Sequence, residues 1–122
     1  MAAGLIDVCD SSALADGGAG VRFDVRIGPE LATAFVVRYR GEVIAYLNQC
    51  AHVQMELDWE PGQFFDADGE FLICSTHGAL YDPANGRCAG GPCQGRGGLR
   101  RIDVIEADGR VAWRPDSYIQ AP

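Results

Sequence analysis

Lysine is missing from this chain of 122 residues, and histidine occurs only twice. All ten basic residues are arginine, and none lies between Arg40 and Arg87. The exclusive use of arginine reads as a bias of the coding genome. The empty stretch says more, because a nucleic-acid site needs a basic stripe along one face and this chain has none there. No apolar run approaches the ~20 residues of a membrane span. The first twenty residues lack the basic start and apolar run of a secretory or transit signal, so a cytoplasmic protein is expected. No repeat, low-complexity tract or amphipathic helical segment of a dozen residues is evident.

What remains is a folded domain. Apolar residues make up 48% of the chain, enough for one core without staples at this length. A single domain over residues 1–122 is expected. The net charge of −7 is unevenly spread. Eight acids lie between Arg40 and Arg87: Glu42, Glu56, Asp58, Glu60, Asp66, Asp68, Glu70 and Asp82. Solvated turns account for Asp66 and Asp68, but less well for the absence of any arginine. One-sided charge steers encounter with an oppositely charged partner, so a protein with a basic docking surface is the natural complement.

The pattern of apolar residues is that of short strands. Leu5 to Cys9 forms a first strand, and Ser11 to Gly20 a loop or single helical turn rich in small residues. Val21 to Ile27 alternates apolar with charged residues, as a half-buried strand does. Ala34–Arg40 and Glu42–Asn48 flank Gly41 as a hairpin. Gln63–Phe65 and Glu70–Ile73 bracket Asp66-Ala67-Asp68-Gly69 as another. Pro83-Ala84-Asn85-Gly86 is a turn, and Leu99–Glu106 with Arg110–Trp113 flank Asp108-Gly109 as a closing hairpin. Ser117–Pro122 reads as a loose tail. The class is all-β and antiparallel.

Both histidines fall inside two short loops, each entered from the end of a predicted strand. Cys50-Ala51-His52 is a Cys-x-His loop. Cys74-Ser75-Thr76-His77, a Cys-x-x-His loop, follows after 21 residues. Thiolate and imidazole donors together suit zinc, iron or an iron-sulfur cluster. A structural Cys2His2 zinc site normally groups like ligands, Cys with Cys and His with His. Here each loop supplies one of each, which suits a two-iron centre with two cysteines on one iron and two histidines on the other. Both readings stand on the spacing, and the mixed loops favour the second. Cys9, Cys88 and Cys93 are left over and are expected to be inert thiols, not halves of a disulfide. Cys88 and Cys93 have the Cys-x4-Cys spacing of plant-type ferredoxins, but Arg96 occupies the next ligand position and the pattern fails.

Residues 46–93 resemble the cluster-binding half of a Rieske 2Fe-2S protein of the ferredoxin type. The resemblance rests on Cys50-Ala51-His52, Cys74-Ser75-Thr76-His77-Gly78, Tyr81-Asp82, Gly86-Arg87 and Gly90-Gly91-Pro92-Cys93. It implies an antiparallel β-sandwich base built from both termini, with a small cluster-binding subdomain inserted at about 48–93. It implies one Rieske 2Fe-2S cluster held by Cys50, His52, Cys74 and His77. In the membrane-complex branch of that family each loop carries a further cysteine, and the two form a disulfide. Met55 and Thr76 stand there in this chain. A serine directly after the His-Gly pair is replaced by Ala79, while Tyr81 is either a donor to a ligand sulfur or a core aromatic. Cys93 lies in a segment that folds over the cluster in that family and is expected to shield it. Fewer donors to the cluster imply a potential in the lower part of the Rieske range of roughly −150 to +300 mV.

The implied function is one-electron transfer. The chain would be a ferredoxin-like carrier between a reductase and an oxygenase or similar oxidoreductase, not itself an enzyme. With both histidines on the cluster, none is left for the two-histidine, one-carboxylate iron site of an oxygenase. A tightly bound Rieske subunit or interaction module of a multicomponent oxidoreductase is the alternative, and a structural zinc domain a further one.

Overall fold

The computed structural model describes residues 4–49, 56–58, 62–74, 78–93 and 97–122, with the side chain of Cys93 excepted. Nine strands follow in chain order: β1 (Ile6–Asp10), β2 (Val21–Ile27), β3 (Glu30–Tyr39), β4 (Glu42–Leu47), β5 (Leu72–Ile73), β6 (Leu80–Tyr81), β7 (Cys88–Gly90), β8 (Arg101–Ala107) and β9 (Arg110–Arg114). Short 3-10 turns at Ser11–Ala13 and Gly91–Cys93 are the only helical pieces among the described residues. The strands form a six-stranded sheet in the order β1-β9-β8-β4-β3-β2 and a three-stranded sheet in the order β5-β6-β7. All strand pairs are antiparallel. The all-β expectation holds, and the pairing of β1 with β9 builds the large sheet from both ends of the chain.

Strands β3 and β4 form a wall with a core on each side. Their register sets Ala34 opposite Leu47, Phe35 opposite Tyr46, Val36 opposite Ala45 and Val37 opposite Ile44. Successive side chains of a strand point to opposite faces. Ala34, Val36, Ala45 and Leu47 therefore pack with Leu14, Val25, Ile102, Val111, Trp113 and Ile119. Phe35, Val37, Ile44 and Tyr46 point the other way, into a core with Leu57, Phe64, Leu72, Cys74, Tyr81 and Leu99. Burial on both faces explains why these strands read as unbroken apolar runs, whereas β2, with Asp24 exposed and Val25 buried, alternates. Phe35 and Phe64 stack at 3.9 Å between centroids, joining β3 to the segment that leads into β5.

Three expectations need correction. The first hairpin strand begins at Glu30, not Ala34, because Gly28 (φ +59°) and Pro29 make a tight turn that pairs Ile27 with Glu30. The hairpin around 66–69 forms as a turn, with Asp66 N–H donating to Phe71 O at 2.9 Å, but only Leu72–Ile73 continues as regular strand. The C-terminal residues are not loose. The Asp116 carboxylate accepts the N–H groups of Tyr118 and Ile119 at 2.8 and 2.7 Å, and Gln120 exchanges two backbone hydrogen bonds with Arg26. Ile119, 1% exposed, is thereby placed in the core beside Trp113.

Candidate metal centre

Strand β4 ends where the first expected ligand loop begins. The ladder extends one residue beyond it, since Asn48 N–H donates to Thr33 O at 2.8 Å. Cys50 and His52 then fall outside the described residues, as does Met55. The chain is described again at Glu56, Leu57 and Asp58, where Leu57 is fully buried in the core that holds Phe64, Leu72 and Cys74.

The polar groups at the base of this loop are paired. Asn48 Oδ1 accepts the Leu57 N–H at 2.8 Å, and Asn48 Nδ2 donates to Asp58 Oδ1 at 2.8 Å. Asp58 Oδ2 accepts the Gly62 N–H at 2.9 Å. Arg22 reaches across from β2, with Nη2 on Glu56 Oε2 at 2.7 Å and Nη1 3.7 Å from Asp58 Oδ2. Asn48 and Asp58 are the two buried polar residues in the described structure. The sequence reading listed Asp58 only as one of eight acids and passed over Asn48. The signal that finds them is position, since a polar residue two places before a candidate ligand, at the end of a doubly buried strand, needs a partner.

Strand β5 delivers the second loop. Cys74 follows it directly and is fully buried. Its N–H donates to Ala79 O at 2.9 Å, and Gly78 N–H donates back to Cys74 O at 2.8 Å. Two backbone bonds thus tie Cys74 to the residues that follow the loop, and Gly78 takes φ +77°. Thr76 and His77 lie outside the described residues. Of the four expected ligands, the structure therefore describes one, Cys74. Among the described residues no three histidine, cysteine or acidic side chains gather as a metal site.

The surroundings of Cys74 are on the page. Tyr81, fully buried, shares its core. Gly91 packs closely on the two residues after the second loop, because a Cβ on it (φ +81°) would stand 2.6 Å from Gly78 O and 3.1 Å from Ala79 Cα. Only glycine permits that approach. Cys88, at the start of the 88–93 segment, is tied to Gly97, its N–H donating to Gly97 O at 3.0 Å.

The expectation of spare, inert thiols fails at Cys88, which is disulfide-bonded. It holds at Cys9, a free and half-buried thiol whose pKa burial pushes up. The side chain of Cys93, expected to shield the centre, is outside the described residues.

Three of the eight acids serve structure. Asp58 belongs to the buried pairing above. Asp66 Oδ1 accepts the N–H groups of Glu70 and Phe71, and Asp82 Oδ1 accepts that of Ala84 at 2.9 Å. Glu42, Asp68 and Glu70 are exposed as outward negative charge, Glu56 is paired with Arg22, and Glu60 lies outside the described residues. No helix among the described residues is long and apolar enough to cross a membrane.

Comparison with known proteins agrees with this geometry. The sequence profile of the Rieske 2Fe-2S domain matches residues 4–113. No curated protein sequence matches the chain. Among solved structures, the chain is similar to the ferredoxin of carbazole 1,9a-dioxygenase from Nocardioides aromaticivorans IC177, with 23% identity and a TM-score of 0.70, over 92% of this chain and 98% of that one. A ferredoxin of Sphingomonas yanoikuyae B1 matches at 25% identity and a TM-score of 0.68, over 91% and 98% of the respective chains. A structure of the complex between reduced oxygenase and oxidised ferredoxin in carbazole 1,9a-dioxygenase matches at 22% identity and a TM-score of 0.68, over 91% and 93%.

Proposed function

The chain belongs to the Rieske 2Fe-2S domain family, and from that premise we propose that it is a ferredoxin-like electron carrier serving an oxygenase or similar oxidoreductase. Its cofactor is one Rieske-type 2Fe-2S cluster. When bound, the cluster supplies reversible one-electron chemistry at a potential set by its ligands and their hydrogen bonds. In this proposal Cys50 and Cys74 hold one iron and His52 and His77 the other.

The observation that carries the reading is the setting of Cys74. Its residue is fully buried just after a strand and is tied by two backbone hydrogen bonds to Gly78 and Ala79, on which Gly91 packs. A soft sulfur donor held so rigidly fits an iron-sulfur site. A rigid frame also means little rearrangement when the charge of the site changes. Leu57 and Cys74 share one core, so the bases of the two loops are packed as a unit. Tyr81 shares the buried core of Cys74.

The partner class follows from two supports. Similar ferredoxins include one solved in complex with its oxygenase. The exposed acids Glu42, Asp68 and Glu70 suit a basic docking surface on a reductase or oxygenase. With two histidines in the chain, both assigned to the cluster, oxygen activation belongs to another protein. A cytoplasmic location completes the proposal.

Titration of the anaerobic protein with a one-electron reductant tests it. The expected result is reversible bleaching complete at one electron per chain. Absence of any reversible redox change refutes it. A carrier also exchanges between partners, so stoichiometric co-purification with an oxidoreductase would instead favour a fixed subunit.

A further inference from the structure

We infer that Asn48 and Asp58 form a buried clasp that positions the first ligand loop, so that these two side chains, neither of them a ligand, govern how firmly and in what geometry the cluster is held. The inference rests on the assignment of Cys50 and His52 as ligands.

Four observations carry it. The chain leaves the six-stranded sheet at Asn48, and Leu57 is in the core. Across this gap the connection is made by a side chain, because Asn48 donates to Asp58 and accepts from Leu57, both at 2.8 Å. Asp58 then closes the next span by accepting from Gly62 N–H at 2.9 Å. Every ligand on this loop thus lies between two points fixed by one asparagine. Finally, both residues are buried, Asn48 4% and Asp58 5% exposed, where a polar group without partners is costly.

The pairing is specific in its donors and acceptors. Asn48 presents one acceptor to Leu57 N–H and one donor to Asp58. Asp58 presents two acceptors, one to Asn48 Nδ2 and one to Gly62 N–H. Substituting Asp58→Asn leaves two donors facing a single acceptor oxygen. Substituting Asn48→Asp sets two carboxylates against each other. The exchange of both, Asn48→Asp with Asp58→Asn, remakes all three hydrogen bonds: Leu57 N–H and the new amide donate to the carboxylate at 48, and Gly62 N–H donates to the amide oxygen at 58. It also conserves net charge. Arg22, 3.7 Å from Asp58, stays as the nearby cation.

The test uses the full chain, isolated with its cluster in the absence of air, as wild type, N48D, D58N and the exchanged pair. Loss of visible absorbance to an iron chelator gives the release rate, and the electron paramagnetic resonance of the reduced protein reports ligand geometry. Each single variant is expected to release the cluster roughly 10- to 100-fold faster, the range seen when groups supporting metal ligands are removed. Each should also show shifted g values. The exchanged pair is expected to return to the wild-type rate within about twofold, with wild-type g values. A clasp that merely stabilised the fold would change melting without moving the g values, and that result overturns the inference. So does wild-type release from both single variants, or failure of the exchange to rescue. If the single variants do not fold, the exchanged pair decides alone by holding or losing its cluster. A wild-type protein without a cluster refutes the ligand assignment instead, which keeps the two failures apart.

Discussion

The hydroxyl of Tyr46 donates to the carbonyl oxygen of Pro83 at 2.6 Å, across 37 positions in sequence. It links the strand that delivers the first ligand loop to the turn that follows β6. The ring lies over Gly86, where a Cβ would come within 2.7 Å of Tyr46 Cε1. Burial pushes the phenol up to about 12 from an ordinary value near 10. In the unfolded chain the phenol ionises around pH 10, while the folded protein keeps its proton to about 12. This contribution to stability is complete below pH 10 and is lost as pH rises from 10 to 12. Tyr46→Phe should remove that alkaline loss. At neutral pH the same change should cost about 1–3 kcal/mol in denaturant unfolding, since it strands a buried carbonyl.

The acid side is governed elsewhere. The Arg38 guanidinium hydrogen-bonds the Glu106 carboxylate at 3.0 and 2.5 Å and holds its pKa down to about 2. An unfolded glutamate protonates nearer pH 4.5. The contribution is therefore present above pH 4.5 and lost as pH falls from there towards 2. In Glu106→Gln the fall in melting temperature across that window should be shallower than in wild type.

Ala79 is fully buried and its carbonyl closes the Cys74 turn. Ala79 shares a core with the proposed ligand Cys74, and a hydroxyl there adds a hydrogen-bond donor to that core. Hydrogen bonds to the sulfurs stabilise the reduced, more negative state. Ala79→Ser should raise the midpoint potential measured by protein-film voltammetry. An unchanged or lowered potential would place the sulfur ligands away from this residue.

The fold was legible wherever local pattern and tertiary burial agree. Val21 to Ile27 alternates, and the strand has those bounds. The turn at Pro83–Gly86 was readable because asparagine and glycine tolerate positive φ. Gly86 takes φ +76°, and its N–H donates to Asp82 O. What stayed hidden depends on distant partners. Leu80–Tyr81 is a strand only because Leu72–Ile73 and Cys88–Gly90 flank it. The anchoring of Ile119 depends on the groove beside Trp113. Ile119→Ala should accordingly cost roughly 2–5 kcal/mol in equilibrium unfolding, as truncation of a core isoleucine does. A cost near zero would restore the reading of residues 117–122 as a loose tail. At the site, the candidate ligands were named from two histidines and their spacing, and Cys74 is the one of the four among the described residues. The clasp of Asn48 and Asp58 was not read, because its one signal, the position of Asn48 at the end of a strand, becomes telling only once packing from distant residues buries both faces of that strand.

The most direct test is the metal and sulfide content, with the visible spectrum, of the protein purified without air. The account predicts a red-brown protein with about two iron atoms and two acid-labile sulfides per chain. A colourless protein holding one zinc ion and no sulfide would contradict it.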